Sequence, residues 1–142
     1  MIPAPLQEIV DDFGASPREM RLQMLLDYSR GLPELPERYR DRAGLEQVQE
    51  CQTPFFLAVE IDDGQRVHLF FDAPPEAPTT RGYAGILAEG LEGATPTEIL
   101  ETPPDFYVTM GLAELISPLR LRGMGAILAR IKRRVVELGG AG

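Results

Sequence analysis

Cysteine and histidine are scarce in this sequence, whose 142 residues include one of each, Cys51 and His68, and no tryptophan. A single cysteine excludes an intrachain disulfide and every zinc site that needs two or more cysteines of one chain. No apolar run approaches the roughly 18 residues of a membrane-spanning helix. Residues 1–6 lack the basic start and the long apolar stretch of a signal peptide. We therefore expect a reduced, cytoplasmic protein that has no membrane segment.

Basic residues are also few, with 14 Lys+Arg against 22 Asp+Glu and a net charge of −8. This charge argues against a nucleic-acid binder, since such binding needs a basic surface. The C-terminal residues 118–142 nevertheless carry a net charge of +5, on a body of −13. Either this segment guides a protein partner, or its later basic residues simply favour the negative end of a last helix. Those later residues are Arg130, Lys132, Arg133 and Arg134.

Apolar spacing and capping residues predict the helices. A stripe from Leu6 to Phe13 indicates a first helix, and Ser16-Pro17-Arg18-Glu19 is typical of a capping box. The helix that this box opens is expected to end at Gly31 and to be well buried, because it is rich in apolar residues. Residues 31–44 are expected to form an exposed connector. Later helices are predicted over residues 83–91, after Thr95 and after Ser117.

Alternating apolar residues predict the strands. They occupy residues 55–61 and 67–71, and Asp62-Asp63-Gly64 between them has the chemistry of a hairpin turn. Residues 45–50 are expected to add a short strand or a lead-in to the first. Because the strands are segregated from the helices, the order predicts one α+β domain over residues 1–142. In it a small antiparallel sheet packs against several α-helices.

Cys51 is the first candidate for a residue that carries chemistry. It lies between a polar connector and the first clear strand, where reactive groups are often placed. The alternative is a buried structural thiol, since free cysteine is among the most buried residue types. A reactive thiol must ionise, and the neighbouring Glu50 opposes this, so a compensating cation must come from elsewhere in the chain.

His68 and the arginines at two helix starts are the other candidates. A Cys51–His68 pair could form a thiol hydrolase or transferase, whereas the alternative is an ordinary exposed histidine. No ligand spacing predicts a metal site. Arg81 and Arg120 oppose the dipole of the helices that they begin, so local helix stability does not explain them. Either they serve a site, or they are ordinary surface charges.

Four motifs in register resemble the SufE family over nearly the whole chain. They are Arg30-Gly31-Leu32-Pro33-Glu34-Leu35-Pro36, Glu50-Cys51-Gln52-Thr53, Phe71-Asp72 through Thr80-Arg81-Gly82, and Leu115-Ile116-Ser117-Pro118-Leu119-Arg120-Leu121-Arg122-Gly123-Met124. These stretches resemble, in order, the family's leucine-proline stretch, its Gly-Cys-Gln-Ser motif, its acidic loop before an Arg/Lys-Gly helix start, and its Leu-Ser-Pro-Ser-Arg-x-x-Gly-Leu signature.

The resemblance implies a fold shared with the IscU scaffold and a role in sulfur transfer. The protein would take persulfide sulfur from a SufS/CsdA-like cysteine desulfurase onto Cys51 and pass it toward an iron–sulfur cluster scaffold. It would be a sulfur carrier and desulfurase activator rather than a stand-alone enzyme. It would hold no metal and no permanent cofactor. The persulfide on Cys51 is transient, and pyridoxal phosphate (PLP) belongs to the partner.

The resemblance also assigns site residues. Arg120 would lie near the cysteine loop, and Glu76 would restrain that loop. Gln52, Thr53, Arg81 and Arg122 would contact the partner. Glu50 stands where the family motif has glycine, so we expect a loop with less freedom and an added negative charge.

Three hypotheses therefore remain: a sulfur acceptor, a Cys51/His68 thiol hydrolase or transferase, and a non-catalytic interaction module. The second requires His68 within hydrogen-bond reach of Cys51. The third predicts that Cys51→Ser keeps biological activity. On the first, we expect Arg120→Ala to slow sulfur uptake more than Arg130→Ala does.

Overall fold

The computed structural model describes residues 2–51 and 53–139 and confirms the α+β class. In these residues the α-helices are α1 (Ala4–Ala15), α2 (Arg18–Arg30), α3 (Pro78–Leu91), α4 (Pro96–Leu100) and α5 (Pro118–Glu137). The strands are β1 (Glu46–Gln47), β2 (Phe56–Ile61) and β3 (Val67–Asp72). Short 3₁₀ turns occur at Glu37–Tyr39, Phe106–Val108 and Leu112–Glu114. No helix in the described ranges is both long and apolar enough to cross a membrane.

The sheet is an antiparallel meander in the order β1-β2-β3. Glu46 pairs with Leu57 in the first ladder, and His68 pairs with Glu60 in the second. Side chains alternate between the two faces of a strand, so every second residue of β3 is buried, namely Val67, Leu69 and Phe71. Because the strands form a meander, the β1–β2 loop and the β2–β3 turn lie at opposite ends of the sheet.

Helices α2 and α3 pack very closely because α3 contains two glycines at the contact. A Cβ atom on Gly82 would overlap the carbonyl oxygen of Leu25, and one on Gly85 would overlap that of Tyr28. The glycine spacing in this stretch therefore serves helix packing. With α1 and the sheet, these helices surround an apolar core that α5 completes through Met124, Ile127, Leu128, Ile131 and Val135.

Helix α2 differs from the sequence prediction in two respects. It is not well buried, because Leu25 and Ser29 are its buried residues, whereas Met20 and Leu22 are exposed. Its predicted capping box is also absent: Pro17 occupies the N-cap position, and the Ser16 hydroxyl donates instead to the Asp12 carbonyl. The Ser16 hydroxyl therefore bonds to the end of α1 and does not cap α2.

The two later caps were predicted correctly. Thr95 and Glu98 form a reciprocal capping box at the start of α4. The Ser117 hydroxyl accepts a hydrogen bond of 3.3 Å from the Arg120 backbone amide at the start of α5. This cap fixes where α5 begins, and it thereby places the signature residues 119–124 on its first two turns.

Candidate functional site

Cys51 lies in the loop between β1 and β2, which we call the cysteine loop (residues 48–55). Its base is closed by a hydrogen bond of 2.8 Å from the Val48 amide to the Phe55 carbonyl. Inside it, the Cys51 amide donates to the Val48 carbonyl at 3.2 Å, which makes a tight turn. The short β1 strand was predicted, and it holds the loop at one end of the sheet.

The thiol is half-buried against helix α5. Cys51 Sγ lies 3.9 Å from the Gly123 carbonyl oxygen. A Cβ atom on Gly123 would lie 3.4 Å from Cys51 Sγ and 3.6 Å from its Cα. A Cβ atom there would just touch Cys51, so a larger side chain at position 123 would reach into the cysteine loop.

Arg130 joins the same helix to the cysteine loop. Its Nη2 atom donates to Glu50 at 2.8 Å, and its Nη1 atom donates to Glu46 of β1 at 2.6 Å. Arg133, one turn later, also pairs with Glu46. Helix α5 thus brings a cation to the cysteine loop, but this cation pairs with Glu50, and the pKa of Cys51 stays raised. The sequence left two alternatives for Arg130, a partner-guiding basic segment or a charge that favours the helix end, and it did not connect Arg130 with Glu50.

The surroundings of the thiol disfavour its ionisation. Burial raises the pKa of Cys51 to about 11, and the Glu50 carboxylate adds to the increase, while the Arg130 guanidinium opposes it. Backbone hydrogen bonding and the contact with Arg130 keep the pKa of Glu50 below its usual range, so this carboxylate is charged at neutral pH. In the free protein, Cys51 is therefore protonated at neutral pH.

Glu50 does not need the conformation of the glycine that it replaces. Among the described non-glycine residues, a positive φ occurs at Arg42 and Gln65. The loop therefore accommodates Glu50 without left-handed backbone strain. The effect of this departure from the family motif is electrostatic rather than conformational.

Arg120 and Arg122 lie on the exposed first turns of α5. Arg120 is one helical turn before Gly123, which places it on the side of α5 that the cysteine loop covers. In the part of the chain that the structure describes, neither guanidinium has a hydrogen-bond or ion-pair partner. Thr53 is half-buried in the cysteine loop, and Gln52 lies outside the described residues.

Glu76 lies on the connection between β3 and α3, and Arg81 lies on the first turn of α3. Glu76 is exposed, and no hydrogen bond or ion pair joins it to any described residue of the cysteine loop. Arg81 instead fixes the connection that precedes α3, donating to the Ser29 carbonyl at 2.9 Å and to the Ala73 carbonyl at 2.5 Å. Its contacts are those of a residue that links α2 to the β3–α3 connection.

His68 does not meet Cys51. Its Nε2 atom lies 2.8 Å from Asp62, and its Nδ1 atom contacts Glu92. These hydrogen bonds raise the pKa of His68 above its ordinary value. His68 is the second residue of β3, next to the β2–β3 turn and at the end of the sheet opposite the cysteine loop. The structure therefore gives the predicted Cys51/His68 pair no geometric basis.

Other features of the molecule do not add to the thiol site. No group of three or more potential metal ligands was found within residues 2–51 and 53–139. A cleft of about 410 Å³ lies between α2 and α3, and its lining includes Tyr28, Gly31 and Gly85. None of its lining residues comes from the cysteine loop or from α5.

Fold and site together define a small α+β protein that presents one thiol on a loop held against a long helix. The family model described as SufE, an Fe-S metabolism associated domain, matches residues 7–135, and the chain belongs to the SufE family. An uncharacterized SufE-like protein of Mycobacterium tuberculosis is 54% identical over 136 residues, which cover 96% of this chain and 94% of the relative.

Two further relatives support the assignment. A hypothetical protein from Thermus thermophilus, solved in solution, superposes with a TM-score of 0.86 at 44% identity, covering 96% of this chain and 97% of that one. A cysteine desulfuration protein SufE of Plasmodium falciparum is 24% identical over 131 residues, covering 89% of this chain and 52% of the relative. Family membership supports a role in Fe–S metabolism.

Proposed function

We propose that this protein is a sulfur acceptor that takes persulfide sulfur from a PLP-dependent cysteine desulfurase onto Cys51. By removing that persulfide it stimulates the desulfurase, and it then passes the sulfur to an iron–sulfur cluster scaffold. The observation that carries the proposal is the placement of the sole thiol, in a SufE-family chain, on a loop that packs against the family's signature helix.

The transfer is a form of thiol–disulfide exchange. The Cys51 thiolate attacks the outer sulfur of the partner's Cys–S–SH group and forms a new S–S bond. The partner's S–S bond breaks, and its electron pair returns to the partner's cysteine as a thiolate. The transferred sulfur keeps its proton, so the product is Cys51–S–SH and no net oxidation occurs. A recipient thiolate then repeats the exchange on the outer sulfur and regenerates the Cys51 thiolate.

A chain with one cysteine suits a sulfur carrier. A second thiol close to the persulfide could attack its inner sulfur, close an intramolecular disulfide and release the cargo as sulfide. The sequence contains no other cysteine. Cys51 can therefore lose its sulfur only to a thiol outside this chain.

The arginines at the start of α5, which have no partner among residues 2–51 and 53–139, are the part of the basic segment that we propose is available to a partner. The later basic residues have partners within the chain: Arg130 and Arg133 bind Glu46, Lys132 donates to Thr102, and Arg134 binds Glu137. We call Arg120, Arg122 and the exposed Leu119, on the first turns of α5, the docking rim. We propose that this rim meets an acidic surface around the desulfurase's persulfide.

Mass spectrometry after incubation with the cognate desulfurase, PLP and free cysteine tests the function. We expect wild-type protein to gain one sulfur atom on Cys51, reversibly by reductant, and Cys51→Ser to gain none. His68→Gln should gain sulfur as the wild type does, whereas the hydrolase hypothesis requires its failure. Absence of the adduct with an active, correct desulfurase would overturn the proposal. Full biological activity of Cys51→Ser would instead support the interaction module.

A further inference from the structure

The Arg130 guanidinium has one nitrogen that no described residue engages. Its two terminal nitrogens are engaged by Glu46 and Glu50. Its Nε atom is buried and has no hydrogen-bond partner among the described residues. An unsatisfied N–H of a buried cation is unfavourable, and a nearby anion would satisfy it.

Two opposite charges from two different elements meet next to Cys51. Glu50 is the neighbour of Cys51 in the cysteine loop, and Arg130 of α5 donates to the Glu50 carboxylate at 2.8 Å. The carboxylate raises the pKa of Cys51, and the guanidinium lowers it. Because Glu50 is paired with Arg130, the carboxylate also competes with any thiolate for the same cation. The balance between a thiol and a thiolate therefore depends on what Glu50 binds.

The Glu50 carboxylate is accessible from outside, whereas the Arg130 guanidinium is more enclosed. Their side chains are 45% and 21% exposed, respectively. A cationic group on a docking protein can thus reach Glu50 directly. Arg130, held from the other side by Glu46, would stay beside the cysteine loop when Glu50 leaves.

We propose that the Arg130 guanidinium exchanges Glu50 for the sulfur of Cys51 when the sulfur donor docks. In the free protein it binds Glu50, and the thiol stays protonated. Once a cation of the donor takes the Glu50 carboxylate, the guanidinium stabilises first the Cys51 thiolate and then the persulfide anion. This inference rests on the proposed function, and it makes Glu50 the element that keeps the carrier unreactive away from its donor.

The apparent pKa of the Cys51 thiol, measured on the free protein, tests the exchange. It is read from the pH dependence of the alkylation rate with iodoacetamide and from the ultraviolet absorbance of the thiolate. Glu50→Gln should lower this pKa by about one pH unit when Arg130 is present, because both the repulsion and the competition disappear. In an Arg130→Gln background, the same substitution should lower it by less than about half as much.

Charges that stay fixed give a different result. Their effects on the thiol add, so Glu50→Gln would then lower the pKa equally in both backgrounds, and this outcome would overturn the inference. Arg133→Gln is the matched control, since it removes a positive charge from the same helix and from Glu46 but leaves the Arg130–Glu50 pair intact. In that background the full effect of Glu50→Gln should persist.

A second variant, Arg130→Lys, tests the inference if Arg130→Gln does not fold. Circular dichroism identifies a variant that fails to fold, and Arg130→Lys then replaces Arg130→Gln. A single ammonium lacks the fork that binds Glu46 and Glu50 together, so the effect of Glu50→Gln should again be smaller than in wild type. An undiminished effect would contradict the inference. Since no desulfurase is used, this result is independent of the persulfide assay.

Discussion

A basic side chain bridges two carboxylates at each end of the sheet, but the two bridges have different surroundings. At the turn end, His68 bridges Asp62 and Glu92; at the loop end, Arg130 bridges Glu46 and Glu50. Each bridge is a cation between two carboxylates from separate segments. At the turn end both ring nitrogens are occupied. At the loop end the Arg130 Nε atom has no hydrogen-bond partner among the described residues, and Glu50 adjoins Cys51 in the chain. On our proposal, this spare donor is what makes the loop-end bridge part of the sulfur-transfer site.

The largest expected effect concerns the resting reactivity of the loop end. With a pKa of about 11, Cys51 should alkylate at least about tenfold more slowly near neutral pH than a peptide of residues 47–55 does. The factor allows for the greater nucleophilicity of a more basic thiolate. Alkylation rates across a pH series measure it. The protein's rate should rise well beyond the pH at which the peptide's rate levels off, and a plateau at the same pH would contradict the buried thiol.

The next largest effect is expected from a substitution that breaks the contact between the cysteine loop and helix α5. In Gly123→Val the new Cβ would lie 3.4 Å from Cys51 Sγ, and its methyl groups would extend further into the loop. The loop should lift from α5, and because burial is the largest cause of the raised pKa, alkylation should accelerate about fivefold. Iodoacetamide kinetics measure the change.

Gly125→Val is the control for this substitution. It makes the same exchange on the same helix, at a position where, apart from the neighbouring residues and the local helix backbone, no described atom lies within 4 Å of the added Cβ. It should leave the alkylation rate unchanged. Equal acceleration by both variants would show that valine acts by weakening α5 rather than by displacing the cysteine loop.

Sequence reasoning located the thiol but could not find what surrounds it. The hairpin, the Thr95–Glu98 box and the Ser117 cap follow from residues a few positions apart, so local patterns predicted them. Gly123 and Arg130 reach the cysteine loop across 72 and 80 residues of sequence, respectively. Only the packing of α5 against the sheet brings them there. The sequence therefore predicted a partner-guiding segment or a helix-end charge for Arg130, and not its contact with Glu50.

The contact between Arg130 and Glu50, which the sequence did not predict, also changes how Arg120→Ala and Arg130→Ala can be compared. The resemblance led us to expect the larger effect on sulfur uptake from Arg120→Ala. Because Arg130 binds Glu50, Arg130→Ala cannot serve as a neutral control for that experiment. Better controls are arginines that, like Arg120, are exposed and unpaired within the described chain, namely Arg18 and Arg40.

A moderate effect is expected at the docking rim. Arg120→Ala and Arg122→Ala should each slow sulfur uptake from the desulfurase about threefold at low ionic strength, because they weaken electrostatic association. The difference should shrink as salt screens the charges. Quenched time courses of persulfide formation measure the rates. Equal slowing by Arg18→Ala and Arg40→Ala would show that only the overall charge of the protein matters.

The smallest effect belongs to the turn end and concerns stability. His68 has a raised pKa, so its bridge is fully present below the unfolded-state pKa of histidine, about 6.5, and is lost as pH rises through the folded value. Hydrogen bonding with His68 lowers the pKa of Asp62, so its contribution is lost as pH falls through that lowered value. His68→Gln should therefore lower Tm by about 2 °C near pH 6 and by almost nothing near pH 9.

Thermal melts of the wild type and of His68→Gln between about pH 6 and pH 9 measure the change in stability. The alkylation rate of Cys51 in the same two proteins is a second readout. If the two ends of the sheet act separately, His68→Gln should leave the alkylation rate of Cys51 unchanged at every pH. The reason is geometric, since the meander places the β2–β3 turn and the cysteine loop at opposite ends of β2. A change in thiol reactivity would mean that the His68 bridge acts on Cys51 through the sheet, and the division between a structural end and a reactive end would then be wrong.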